Sequence, residues 1–481
     1  MRWLLVILLA AAAGGVVADS ERQLGARGDL RASPMPRSIV SLDAVRDSTT
    51  AEQLPVVDER GRRESIEALS LPPVGMRAIT WKMAARPAIR PVTYGWAIGY
   101  EMQEFPGAVA AGDVTGDQLL DIVVTTASGV DGAWGTGLWG TCSISVFSRN
   151  ASGTLELVAN YPLAAECRPD FGGIALGDLN RDGVMDVAAA TNDGIAVLAS
   201  DGQGNLKVEY SRVGREMNQL GVMDVDRDGN LDVIGIGWGS ANGSSIQATT
   251  IYYGDGAGGI SESAAMPSPQ RGYNDLAIGD VDSDGIPDLI IASGADFDFW
   301  VIRHNGVDGF LPPQPYPRPG GIWGTYSVAV GDMNFDGRKD VIVNTYANNP
   351  NAGVWVYAQE ADGRLAPPAQ LATLDLPGEL VIADLNGDRR DDLTVLHAGY
   401  DAVGSYVQLA SGGLAAEVLD EDLAIPDEIN PQGMVVVDVT GDRCPDVVFG
   451  RHDYGLIVMP REQCDVWSAR TGGRLPALRH R

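Results

Sequence analysis

A nine-residue pattern returns seven times along the chain, with Asp at position 1, Asp, Asn or Thr at 3, Asp at 5 and Asp at 9. It reads DVTGDQLLD from Asp113, DLNRDGVMD from Asp178, DVDRDGNLD from Asp224, DVDSDGIPD from Asp280, DMNFDGRKD from Asp332, DLNGDRRDD from Asp384 and DVTGDRCPD from Asp438. Oxygen-bearing side chains on alternate residues of a short loop converge on one point, and a hard cation is the partner such a set selects, calcium before others. The expected side-chain ligands are Asp113, Thr115, Asp117 and Asp121; Asp178, Asn180, Asp182 and Asp186; Asp224, Asp226, Asp228 and Asp232; Asp280, Asp282, Asp284 and Asp288; Asp332, Asn334, Asp336 and Asp340; Asp384, Asn386, Asp388 and Asp392; and Asp438, Thr440, Asp442 and Asp446. The position 7 carbonyl is the expected fifth ligand, and Asp391 is a bystander beside Asp392. An EF-hand is excluded, because position 12 is apolar or small (Val124, Ala189, Gly235, Ile291) and the flanks are strand-like.

The loop starts lie 65, 46, 56, 52, 52 and 54 residues apart, and the same order of segments recurs between them. An apolar run precedes each loop, as in GIALG and SVAVG, and a β-branched run such as DVAAAT or DVIVNT follows. A third run appears as SISVFS, GIAVLA, TTIYYG, FWVIRH, VWVYAQ, SYVQLA and GLIVMP, before a Gly-rich turn and a more polar fourth run such as LKVEYS. Short apolar runs bounded by Gly and Asp are buried strands. Four strands per unit, seven units and no helical period define an all-β protein: a seven-bladed β-propeller of four-stranded antiparallel blades with calcium-binding loops. The last unit is short after its third strand, while spare strand-like segments (AITWKM, TYGWAIGYEM) precede the first loop. The N-terminal segment is therefore expected to complete the final blade and close the ring.

With the loops and blade pattern in hand, residues 77–467 resemble the FG-GAP or VCBS-type repeats of integrin α-subunit propellers, exported bacterial propellers and certain fungal lectins. The resemblance implies up to seven structural calcium ions. It leaves function open, because adhesins, lectins and enzymes share the scaffold. Four loops have Gly at position 6 (Gly183, Gly229, Gly285, Gly337), where a tight loop commonly needs positive φ. The other three have Gly at position 4 (Gly116, Gly387, Gly441) and are expected to bind more weakly. Thr115 and Thr440 mark the weakest sites.

The flanks differ in character. Residues 1–18 carry Arg2, an apolar run and small residues up to Ala18, the form of an export signal. Residues 19–76 are rich in Ser, Arg, Asp, Glu and Pro and read as a flexible leader or propeptide, with one short helical stretch over Arg63 to Leu69. The string Arg27-Gly28-Asp29 matches an integrin-binding string that a flexible leader would expose, but three-residue matches are common by chance; residues 468–481 form a polar tail. The expected location is secreted, periplasmic or at the cell surface, with no membrane span after signal cleavage. Cysteine usage fits an oxidising compartment, with Cys142 paired to Cys167 and Cys444 to Cys464. A net charge of -29 repels nucleic acid and anionic lipid.

Because the metal loops look structural, a partner is expected on the opposite face. The candidate ligand-binding residues there are Trp134, Trp139, Trp238, Tyr273, Trp323, His397, Tyr400, Arg451, His452 and Tyr454. Aromatic planes beside carboxamides and carboxylates suit sugar faces and hydroxyls. The leading expectation is a binding or adhesion module for glycan or an extracellular protein, with no catalytic residues assigned. Two alternatives share the scaffold. One is a polysaccharide lyase using His397, Tyr400, Arg451, His452 and Tyr454, and the other is a docking propeller in an exported assembly.

Overall fold

A computed structural model describes residues 94–461, together with Val56–Val57 and Arg63–Glu64. Omitted from that range are 96, 103–104, 129–139, 151–152, 168–172, 192–193, 202, 214–216, 242–243, 263–265, 268–272, 295–297, 320–323, 398–399, 401, 421–431 and 452–454. The export signal, most of the leader, the Arg-Gly-Asp string and the polar tail lie outside the described residues. Contacts divide the chain into two units, Met1–Gly75 and Met76–Arg481. In the first, Val56–Val57 pairs antiparallel with Arg63–Glu64, so a strand pair stands where the sequence suggested the start of a helix.

The second unit is a ring of seven antiparallel blades of four strands, with Met266–Pro267 as a short extra strand on the third strand of blade 3, and no helix occurs among the described residues. Blade 1 runs Phe105–Gly112, Asp121–Ser128, Gly140–Arg149, Leu155–Cys167. Blade 2 runs Ile174–Gly177, Asp186–Thr191, Gly194–Ser200, Leu206–Val213, and blade 3 Met217–Met223, Asp232–Ala241, Ser244–Gly254, Ile260–Glu262. Blade 4 runs Tyr273–Gly279, Asp288–Ser293, Asp298–Ile302, Gln314–Pro317, and blade 5 Val328–Gly331, Asp340–Thr345, Gly353–Tyr357, Ala369–Leu371. Blade 6 runs Pro377–Ala383, Asp392–His397, Ala402–Tyr406, Val418–Asp420. Blade 7 runs Met434–Val437, Asp446–Arg451, Gly455–Met459, and its fourth strand is Ile98–Tyr100. The third strand of blade 6 begins earlier than SYVQLA suggests, because Gln408 already leads into the turn.

Ring closure follows the repeat to the residue. In blades 4, 5 and 6 the last residue of the third-strand arm bridges back across the turn, His304 to Phe310, Gln359 to Leu365 and Gln408 to Leu414. The fourth strand then starts four positions later, at Gln314, Ala369 and Val418. In blade 7 Arg461 bridges Tyr94, and the fourth strand starts at Ile98, four positions on. The N-terminal segment thus supplies the whole return arm of the last blade. Tyr94 is 8% exposed and packs into the core between blades 6 and 7.

The second strands of blades 2, 4, 5 and 6 are buried along their full length, as at Asp186–Thr191, Asp288–Ser293 and Asp340–Thr345. Strand alternation explains why they are apolar on both faces. In blade 4 Leu289 and Ile291 enter the cluster shared with blade 3, while Ile290 and Ala292 enter the one shared with blade 5. Seven such clusters fill the seven blade interfaces, including one that joins blade 7 to blade 1 through Val448, Val458, Ile122 and Phe147.

Candidate metal loops and the opposite face

Each nine-residue loop joins the first and second strands of its blade, so all seven lie on one face. The position 9 aspartate opens the second strand and is at most 1% exposed in every blade. One of its oxygens accepts the position 2 N–H: Leu179 to Asp186 at 2.8 Å, Val225 to Asp232 at 2.7 Å, Val281 to Asp288 at 3.1 Å. The other accepts an N–H from the end of the third strand: Ser200 to Asp186 at 2.7 Å, His304 to Asp288 at 2.9 Å, Gln359 to Asp340 at 2.8 Å, Gln408 to Asp392 at 2.7 Å and Arg461 to Asp446 at 3.0 Å. In blade 1 the Ser148 hydroxyl takes that place, 2.6 Å from Asp121. This aspartate therefore ties three strands of its blade together before any ion is considered.

The residue that ends the third strand also reaches the preceding blade. Ser200 Oγ donates to Val114 O at 3.0 Å, and His304 Nε2 lies 2.7 Å from Val225 O. Gln359 and Gln408 donate to Asp280 O and Asp332 O. Asp391, expected to stand outside the ligand set, has a bonding role of its own. Its Oδ2 accepts Asp332 N at 2.8 Å and Lys339 Nζ at 3.0 Å, stapling loop 6 to loop 5. The signal for this role lies in blade 5, at Lys339, so local reading of loop 6 could not reveal it.

Positions 4 and 6 have positive φ in all seven loops. Each loop places Gly at one of them and an ordinary residue at the other: Gln118, Arg389 and Arg443 at position 6, and Arg181, Arg227, Ser283 and Phe335 at position 4. The left-handed region disfavours side chains by about 1–2 kcal/mol, so every loop carries one strained residue. The position 1 carboxylate holds the turn, as in Asp178, which accepts Asp182 N and Gly183 N, each at 3.0 Å.

The donor set fits a hard cation. Asp224, Asp226 and Asp232 gather their carboxylate oxygens within 4.8 Å of one another, and Asp280, Asp282 and Asp288 do the same. Inward oxygens lack a hydrogen bond at Asp224, Asp280, Asn334 and Thr440, although each atom is buried. Orphaned buried oxygens at positions 1 and 3 are what a cation would satisfy. Position 5 is the outer member: Asp182, Asp228, Asp284 and Asp336 are exposed, and in loops 5 and 6 Arg338 and Arg390 pair with Asp336 and Asp388.

On the opposite face, five of the expected ligand-binding residues (Trp134, Trp139, Trp323, His452, Tyr454) lie outside the described residues. Trp238 pairs with Gln247 in blade 3 and Tyr273 with Ser293 in blade 4, but their side chains also lie outside the description. Arg451 is half-buried at the end of a second strand. His397 is not available to a ligand, which corrects the expectation. It is fully buried, with Nε2 2.8 Å from Glu417 Oε1 and Nδ1 3.1 Å from Asp375 O. Gly404 makes this pair possible, since a Cβ there would sit 2.2 Å from Glu417 Oε1 and 2.9 Å from His397 Nε2.

Tyr400 is 42% exposed and anchors a polar network between blades 5 and 6. Its hydroxyl donates to Asp375 Oδ2 at 3.0 Å and lies 3.3 Å from Asn348 Oδ1. Asn349 donates its N–H and its Nδ2 to Asp375 Oδ1 at 2.7 and 2.5 Å. Partial burial, and then the bond and charge of Asp375, hold the Tyr400 phenol above its ordinary pKa. At the same end of blade 5, Tyr326 and Tyr346 stack with centroids 4.9 Å apart and planes at 27°. Cys142 and Cys444 are each disulfide-bonded. Cys142 lies in the third strand of blade 1, whose Gly140 pairs with Cys167 at the end of the fourth strand.

The FG-GAP-like repeat family matches residues 113–189, 178–235, 224–291 and 280–343. Four FG-GAP-like repeats and a ring of seven blades support an FG-GAP repeat propeller, all-β in architecture. No curated protein sequence matches it. Among solved structures it is similar to an Agrocybe aegerita lectin that recognises non-reducing terminal N-acetylglucosamine, at 18% identity over 71% of this chain and 88% of the lectin, with a TM-score of 0.47. A Bacillus licheniformis rhamnogalacturonan lyase is similar at 14% identity over 85% of this chain and 79% of that one, TM-score 0.47. A virginiamycin B lyase from Staphylococcus aureus is similar at 13% identity over 76% and 98%, TM-score 0.46.

Proposed function

We propose that this is an exported binding propeller whose seven loops hold structural calcium and whose opposite face takes a glycan or an extracellular protein. The observation that carries the reading is the network of Tyr400, Asp375, Asn348 and Asn349 beside the Tyr326 and Tyr346 stack. Half-exposed aromatic planes next to carboxamide and carboxylate groups match the alternation of C–H faces and hydroxyls on a sugar. A lyase reading loses its nearest base, because both ring nitrogens of His397 are already engaged in the interior.

A glycan array with the full chain, followed by calorimetry on the best ligand, tests this. Wild-type protein is expected to bind saturably without releasing an unsaturated uronate, and Tyr400→Ala and Asn349→Ala to weaken binding at least tenfold. Unchanged affinity in both variants, or an absorbing unsaturated product, would sink the reading.

A further inference from the structure

Seven edge strands face the axis of the ring, and each presents one backbone N–H four residues before its loop's first aspartate. These groups are all occupied. Val109 N donates to Gln432 O at 2.7 Å, Ile174 N to Gln432 Oε1 at 3.0 Å and Leu220 N to the same oxygen at 3.5 Å. Leu276 N and Val328 N donate to the two oxygens of Asp275, and Leu380 N to Ser327 Oγ. Met434 N, with Gly433 N beside it, donates to Glu379.

The side chains just before these N–H groups divide the ring. Blades 7, 1 and 2 offer Gly433, Ala108 and Gly173, blade 3 offers the buried amide of Gln219, and the Gln432 side chain spans the first three, its Nε2 reaching Leu220 O at 2.8 Å. Blades 4, 5 and 6 offer Asp275, Ser327 and Glu379, which are 4%, 0% and 5% exposed. Ser327 Oγ donates to Asp275 Oδ2 at 2.7 Å and accepts the N–H of Leu380, the residue after Glu379. Glu379 Oε2 is buried and has no hydrogen bond. Among the described residues neither acid has an ion-pair partner. Burial pushes Asp275 up to about 7, and burial together with the Asp275 charge drives Glu379 well above the usual carboxylate range. Two buried acids without a counter-charge are costly as anions.

We propose that Asp275 and Glu379 hold one divalent metal cation of calcium's oxygen-seeking class on the axis of the ring, separate from the seven loops. Glu379 Oε2 is its free ligand, and Asp275 offers the lone pairs that Leu276, Val328 and Ser327 leave unused. Two carboxylates balance a double positive charge, and a hard cation accepts an all-oxygen shell. The ion would tie blades 4, 5, 6 and 7 together at the centre, where Gln432 joins the rest of the ring through uncharged bonds.

Counting bound calcium in the full chain by elemental mass spectrometry tests the site. Glu379→Gln keeps the shape and an acceptor for Met434 N, and is expected to lose one equivalent while its circular dichroism in calcium matches wild type. An unchanged stoichiometry overturns the proposal. Infrared spectra of wild-type protein in saturating calcium provide a second reading that needs no variant. No protonated-carboxyl band is expected at neutral pH, and a persistent one would show that the acids share a proton instead. The loops are separable, because Asp288→Asn removes a different equivalent. If the loops held no metal, wild type would bind a single equivalent that Glu379→Gln abolishes.

Discussion

The two faces of the ring are built on opposite plans. On the loop face every blade repeats the same bonds: position 9 buried, its oxygens taken by position 2 and the end of the third strand, positive φ at positions 4 and 6. On the other face, among the described residues, neighbouring blades differ. Blade 6 ends its second strand on His397, buried against Glu417, where blade 5 ends on Thr345 and stacks the next residue, Tyr346, on Tyr326. Uniform bonds repeated around a ring meet a need that every blade shares, which is to hold its strands and its neighbour. A feature present at one interface only serves something the other blades do not do.

Chelation should separate the faces most strongly. At free calcium 100-fold above Kd each filled loop adds about 2.7 kcal/mol, so EDTA is expected to lower the melting temperature steeply, read by calorimetry. A single loop carboxylate comes next. Asp392→Ala strands the N–H groups of Leu385 and Gln408 in the interior and is expected to destabilise by about 3 kcal/mol even in calcium. Asp388→Ala, at the outer position, is expected to lose much less in denaturant melts.

The chelated chain should also respond to pH. Burial, with neighbouring loop carboxylates adding to it, raises Asp186, Asp232, Asp288 and Asp446 to about 6 and Asp340 and Asp392 to about 7. These folded values exceed the unfolded one of about 4. Their contribution is therefore full below pH 4 and is lost as pH rises through 6 to 7. Calcium-free protein is expected to melt higher at pH 5 than at pH 7.5, and calcium, which needs the ionised form, to reverse that order. The smallest effect is a gain: Gln118→Gly relieves a left-handed residue on the exposed surface and is expected to stabilise by about 1 kcal/mol.

The loop face was legible from sequence because its information is local. Nine consecutive residues state which aspartates build each loop, and strand runs on either side state the blade. Even the closing strand could be read, since TYGWAIGYEM offers a fourth strand that the last unit lacks. The need for positive φ at position 4 was half visible, because Gly116, Gly387 and Gly441 show it while Arg181 and Phe335 conceal it. The opposite face was read less well. His397 looks like a surface histidine by its neighbours, and only Glu417 and Asp375, each about twenty residues away, pull it inside. The axial acids were missed for the same reason: Asp275, Ser327 and Glu379 sit on three different blades and meet only when the ring closes.

The division of labour between the faces is tested most directly by one paired measurement in saturating calcium, melting temperature and glycan affinity for Asp288→Asn and Tyr400→Ala. Asp288→Asn is expected to lower the melting temperature and leave affinity unchanged, and Tyr400→Ala to weaken binding at least tenfold with stability within about 0.5 kcal/mol of wild type. Loss of affinity in Asp288→Asn at temperatures where it remains folded, with Tyr400→Ala binding normally, would place the ligand on the loop face and contradict the account.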